Sequence, residues 1–124
     1  MTLAFWCVLA AGILPLVWVG YAKVTGGRYD NRAPRTFLAG VDGAARRAHW
    51  AEQNSYEAFP LFAAGVIVAH VAGASQGTVD LLAVTFLAAR VAHGVCYIAD
   101  LATLRSLVWL VGWASSVGVY FTAL

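Results

Sequence analysis

Two polar stripes interrupt an otherwise apolar chain. Along Arg47-Ala-His-Trp-Ala-Glu-Gln-Asn-Ser-Tyr-Glu-Ala-Phe-Pro60, the residues Arg47, Trp50, Asn54 and Glu57 recur at intervals of three and four. At about 100° per residue they fall within about 80° of arc, so one helix face carries all of them. Further on, Arg90, His93, Tyr97 and Asp100 repeat the same spacing. If the two faces meet, guanidinium, carboxylate, amide, imidazole and phenol groups line one polar cleft. Such a cleft suits a small charged molecule. A charged group at the centre of a membrane helix costs about 2.5–3.5 kcal/mol on insertion scales, so a whole stripe of them calls for partners.

The elements that must position these groups follow from composition. The chain has 124 residues, of which 61% are hydrophobic and 11% charged, with a mean hydropathy of +0.74. A soluble domain of this length needs more polar surface. A bilayer-spanning helix takes about 20 mostly apolar residues, and segments 3–24, 47–72, 79–98 and 106–123 use up nearly the whole chain. The expected fold is an all-α membrane protein, a single domain over residues 1–124 built as a bundle of four transmembrane helices. The net charge of +2 comes with no groove-like basic patch, which argues against nucleic acid as a partner. The first segment lacks the preceding basic residues of a signal peptide, and Pro15 within it predicts a kink by freeing the Ala11 carbonyl. Residues 25–46 read as an irregular, turn-rich connection.

Lys23, Arg28, Arg32, Arg35, Arg46 and Arg47 lie in or beside that connection, whereas Gly73 to Thr78 holds no Lys or Arg. The bias places the long connection, and the short one ending at Arg105, in the cytoplasm, with both termini outside. Arg90 sits well inside its apolar run, and Glu57 is the carboxylate of nearest depth, so the pattern predicts a Glu57–Arg90 ion pair. Each group also has a plainer role open to it. The ion pair can simply fix register, Asn54 can clip two helices together, and Tyr97, Trp50, Trp109 and Trp113 can be belt or packing residues. Cys7 and Cys96 fall near opposite ends of their spans, too far apart for a disulfide within one chain. The three histidines are scattered, with no metal-ligand spacing.

Arg47-Ala-x-x-Ala-x-x-Asn54-x-x-Glu57-x-x-Pro60, then Arg90-x-x-His93-x-x-x-Tyr97 and Arg105-Ser106, resemble the MAPEG family, the membrane-associated proteins in eicosanoid and glutathione metabolism. The resemblance covers all four segments, and the Tyr29 to Arg35 loop looks like the bacterial branch, implying a multi-pass protein of a bacterial inner membrane. It implies a homotrimer of four-helix protomers, with glutathione as co-substrate in a cytoplasm-facing cleft between neighbouring subunits. On these positions Asn54, Glu57, His93 and Tyr97 match glutathione contacts and Arg90 a buried third-helix arginine. Arg105 matches the arginine that stabilises the thiolate, with Ser106 beside it. Arg47 and Lys23 are the further cations available, since Glu52-Gln53 stands where the eicosanoid enzymes carry basic residues.

Glutathione has two carboxylates and one ammonium group. Arg47, Arg105 and Lys23 could meet the former, and Glu57 or Asp100 the latter. A thiol of ordinary pKa about 8.5 is only a few per cent thiolate at neutral pH, and a nearby guanidinium raises that fraction, with a Tyr97 or Ser106 hydroxyl donating to the sulfur. Two function classes follow. One is a glutathione-dependent transferase or peroxidase acting on lipophilic electrophiles delivered through the bilayer. The other is a non-catalytic membrane protein of the same fold that binds glutathione or another small anion.

Overall fold

The computed structural model describes residues 1–124 and is entirely helical. Its helices are α1 (Leu3–Thr25), α2 (Pro34–Gly40), α3 (Gly43–Val71), α4 (Gln76–Ile98) and α5 (Ala102–Phe121). Helices α1, α4 and α5 are each long and apolar enough to cross a membrane. The longest helix, α3 with 29 residues, falls short of that apolarity because its first half carries the polar stripe. Pro15 and Pro60 are accommodated inside continuous helices.

Start signals in the sequence explain the boundaries. The Thr2 hydroxyl accepts the Phe5 amide at 3.3 Å, an N-cap bond of the usual kind. The next free amide of that turn, Ala4 N–H, donates to the Asp80 carboxylate at 2.9 Å. One side chain on α4 thus satisfies the end of α1 and ties the two helices together. The long connection differs from expectation, for it contains α2. Pro34 supplies the preset φ that starts a helix, and Leu38 is buried beside Ala22 and Ala48. Phe37 meets the Tyr29 ring edge-on at 5.2 Å. This short amphipathic turn is too brief for periodicity to reveal. Helix α3 accordingly starts one turn before Arg47, and α5 starts at Ala102, ahead of Arg105.

The main core joins Ala4, Cys7 and Ala11 of α1 to Phe62, Val66 and Ala69 of α3, with Val79, Ala83 and Phe86 of α4 and Val119 of α5. Alanines on facing helices allow close backbone approach, which substitutes for a hydrophobic driving force inside lipid. Phe62 and Phe86 stack at 3.9 Å in the middle. Both chain termini lie at this end of the bundle. The α2 segment, the start of α3 and the α4–α5 turn lie at the other. Cys7 and Cys96 are buried free thiols.

Candidate functional site

The register of α3 against α4 decides which polar groups meet. Helix α4 ends at Ile98, and Asp100 takes a left-handed conformation (φ 61°), the one non-glycine residue to do so. The Leu101 amide returns to the Cys96 carbonyl at 2.9 Å and the Asp100 amide to that of Tyr97 at 3.2 Å, a Schellman-type end in which Asp stands where glycine is usual. Asp100 has therefore left the helical face shared by Arg90, His93 and Tyr97, and it points into the exposed turn. The Ile98 carbonyl freed by this ending accepts from Arg47 Nε at 3.2 Å and from its terminal nitrogen at 3.0 Å. Arg47 is thereby engaged in closing the C-terminus of α4, where a cation also opposes the helix dipole.

With Arg47 opposite Ile98, two antiparallel helices bring the residue about two turns up α3, Asn54, opposite the residue about two turns back along α4, Arg90. Arg90 donates to the Asn54 side-chain oxygen at 2.7 Å. The expected Glu57–Arg90 ion pair is replaced by this bond. Glu57 lies a turn too far along α3 and is exposed. The close acid–base contact in the chain is instead His49 Nδ1 to Glu52 Oε1 at 3.7 Å, on another face of α3. Arg90 is 3% exposed, and its Nε has no partner within the protein. A buried cation held by one neutral amide keeps most of its capacity for an anionic or carbonyl oxygen.

Tyr97 is the centre of a cluster at the α4–α5 turn end of the bundle. Arg105 of α5 lies over its ring, the guanidinium carbon 4.4 Å from the centroid, a cation–π contact that the tight α4–α5 turn makes possible. Trp50 of α3 approaches from a second side at 6.2 Å. His93 meets it edge-on at 5.5 Å, but is buried behind it at 2% exposure. His93 supports Tyr97 from inside the bundle and does not line the open cleft. Behind both stands Trp18 of α1, whose indole lies so close to Gly94 that a Cβ there would fall 2.1 Å from a ring carbon. Only glycine admits α1 at this level. Ser106 is exposed next to Arg105. Lys23 sits over the Tyr29 ring, 4.9 Å from its centroid.

Two adjoining spaces share Asn54 and Glu57. The first, an open cleft of about 320 Å³, is lined also by Trp50, Gln53 and Tyr97. The second, also about 320 Å³, runs deeper between α3, α4 and α5. Asn54, Glu57, Arg90 and Ser116 are its polar lining, and Ala58, Leu61, Phe86, Trp109 and Trp113 its apolar lining. Gln53, Trp109, Trp113 and Ser116, with the apolar Ala58, Leu61 and Phe86, are cavity residues to which the sequence reading gives no site role. A signal for three of them was present. Arg105, Trp109, Trp113 and Ser116 follow one another at intervals of four, four and three and so share one face of α5. The arrangement combines cations (Arg90, Arg105), an accessible carboxylate (Glu57), an amide (Asn54) and a phenol (Tyr97) with an apolar annex. It can hold a small zwitterionic molecule beside a lipophilic one.

Compared with known proteins, the chain matches the model of the MAPEG family over residues 3–124. No curated protein and no solved structure matches it. The match covers essentially the whole chain, so the chain belongs to the MAPEG family and is an integral membrane protein.

Proposed function

We propose that this MAPEG-family chain is a glutathione-dependent transferase or peroxidase acting on lipophilic electrophiles, with Arg105 favouring the thiolate. The observation that carries this reading is the convergence of Asn54, Glu57 and Tyr97 on one open cleft that adjoins an apolar cavity. A tripeptide with two carboxylates and one ammonium group needs cations and an anion within reach of one another. Arg105 and Arg90 provide the first, and Glu57 provides the second. Asn54 is positioned by Arg90 and keeps its amide N–H groups for a ligand carbonyl. Arg47 acts by closing α4 and so holding Tyr97 and Arg105 in register, and His93 by backing Tyr97.

In the transferase reaction the thiolate sulfur attacks an electrophilic carbon and forms a C–S bond. The electron pair leaves with the displaced group or, for an enone, moves to the carbonyl oxygen, and a proton completes the product. As a peroxidase the same thiolate attacks the terminal oxygen of a hydroperoxide and an alcohol leaves. A second glutathione then releases the disulfide, with water as the other product. In either case the guanidinium beside Tyr97 stabilises the sulfur anion before attack, and the Tyr97 or Ser106 hydroxyl donates to it. We take α3 as the fourth transmembrane segment, with its polar half inside the assembly, and the working unit as a homotrimer in a bacterial inner membrane with both termini outside. Lys23 would then reach the cleft from the adjacent subunit.

The test is the ultraviolet thiolate absorbance on adding glutathione to detergent-solubilised protein. Wild type should develop it near neutral pH and Arg105→Ala should not. An Arg105→Ala protein with the wild-type signal contradicts the assignment. The exposure of Ser106 and the engagement of Arg47 favour a second reading, a non-catalytic binder of glutathione or another small anion. Binding without turnover of a generic electrophile selects it.

A further inference from the structure

Of the eight lysines and arginines in the chain, five have a partner within it. Lys23 lies over the Tyr29 ring and Arg105 over that of Tyr97. Arg46 donates to the Val41 carbonyl at 2.8 Å, Arg47 to that of Ile98, and Arg90 to Asn54. The three left over are Arg28, Arg32 and Arg35, neighbours on one short stretch. All three are exposed, and none is in an ion pair, the His49–Glu52 contact being the one acid–base pair in the chain. Asp30, which lies among them, turns its carboxylate to the Arg32 backbone amide at 2.9 Å. Three arginines and this one aspartate leave residues 28–35 with a net charge of +2. Like charges on so short a stretch repel one another, so it favours an anionic neighbour.

The fold sets the depth of this stretch. Helix α1 has 23 residues, about 34 Å at about 1.5 Å per residue, against about 30 Å of hydrocarbon in a bilayer. The chain therefore leaves the apolar layer near Thr25 and enters the headgroup region. Helix α2 then folds back against the end of α1. Leu38 is buried beside Ala22 and Ala48, and a Cβ on Gly26 would stand 2.6 Å from Val41 Cγ1 and 3.0 Å from Phe37 Cζ. Phe37 in turn holds Tyr29 edge-on. These contacts keep residues 28–35 at the level of the last turn of α1, where phospholipid phosphates lie. The opposite end of the bundle has no Lys or Arg, and its Asp80 is taken up by the Ala4 amide and the Gln76 side chain. We propose that Arg28, Arg32 and Arg35 form a docking surface for the phosphates of anionic phospholipids, held at headgroup depth by the packing of α2 on α1. Guanidinium suits the task, since its fork of donors matches phosphate oxygens. A zwitterionic headgroup cancels its phosphate with its own ammonium group, so the surface selects phosphatidylglycerol over phosphatidylcholine. Because Leu38 packs on Ala48, the bound lipid also braces the start of the helix that carries Asn54 and Glu57. The claim goes beyond the enzyme reading and needs no glutathione.

The test titrates the full chain in detergent with dioleoyl phosphatidylglycerol and with dioleoyl phosphatidylcholine, native mass spectrometry counting the lipids retained. Wild type should retain the anionic lipid in preference. Arg32→Gln should lower the preference about fivefold, the worth of one basic residue at a membrane surface. Arg28→Gln, Arg32→Gln and Arg35→Gln together should abolish it, and Arg→Lys at the same three positions should restore most of it. The three side chains are exposed and unpaired, so these variants should keep the wild-type Tm. Arg46→Gln removes a charge from the same end of the bundle but not from this stretch, and should leave the preference within about twofold of wild type. Equal retention of the two lipids by wild type, a triple Gln variant that keeps the preference, or a loss as large from Arg46→Gln overturns the surface. Displacement of the lipid by millimolar glycerol phosphate, the headgroup without its chains, overturns the lipid assignment and marks a site for free phosphates.

Discussion

Helix α3 presents two contrasting faces. Towards α1 it offers Ala48, Ala51 and Ser55, all buried, and against them lie Leu14, Trp18 and Ala22. That side is close-packed, and its one side-chain hydroxyl bonds back to the helix, Ser55 Oγ to the Ala51 carbonyl at 2.8 Å. Towards α4 and α5 the same helix offers Asn54, Glu57, Ala58 and Leu61, and the neighbours stand off to leave two spaces of about 320 Å³ each. The lesson is a division of labour. The sealed face fixes the position of α3, and the open face can then carry expensive groups at fixed depth without collapsing around them.

The largest effect should come from the one bond that bridges the open face. Asn54→Leu removes the only hydrogen-bond acceptor Arg90 has within the protein and leaves a buried guanidinium alone. A loss of about 2–3 kcal/mol should appear as a lowered Tm in detergent. An unchanged Tm would mean the open face does not depend on that bond. Next comes the sealed side. Gly94→Ala places a methyl group inside the Trp18 ring and should cost about 1–3 kcal/mol. Glutathione affinity should fall with it, because Tyr97 shifts with α4. If only stability falls, the two faces are less coupled than described.

The contrast also shows what the amino acids alone reveal. The long helices and the two polar stripes follow from spacing and apolarity, since both repeat over many turns. The short helix Pro34–Gly40 does not, because one buried leucine and one proline make no period. Depth along the apolar runs points Arg90 to Glu57 and not to its actual partner Asn54, because register between two helices is set where they are joined and capped. Here that means the left-handed Asp100 turn and the Arg47 hold on Ile98, neither of which leaves a mark on helical periodicity. Tyr97 and Arg105 stand out as a pair only through the family resemblance, since they lie on different helices and spacing does not join them. Trp109 and Trp113 read as belt or packing residues because tryptophans in a membrane helix have an ordinary use at the interface, although with Ser116 they continue the Arg105 face.

Smaller effects sharpen the comparison. Asp80→Ala uncaps the first turn of α1 at the far end and should cost about 1 kcal/mol, with glutathione binding unchanged. A change in binding would show that the closed end communicates with the cleft. Smallest for stability is Glu57→Gln. The side chain is exposed and in no close ion pair, so Tm should stay within about 0.5 kcal/mol of wild type. Its effect should be confined to ligand, about a tenfold loss of glutathione affinity from one missing charge-assisted bond.

Isothermal titration of glutathione into the detergent-solubilised protein, wild type beside Glu57→Gln, tests the central claim most directly. The account predicts saturable binding by wild type and about tenfold weaker binding by the variant at equal Tm. No heat of binding in a folded wild-type protein, or identical isotherms for the two, would contradict it.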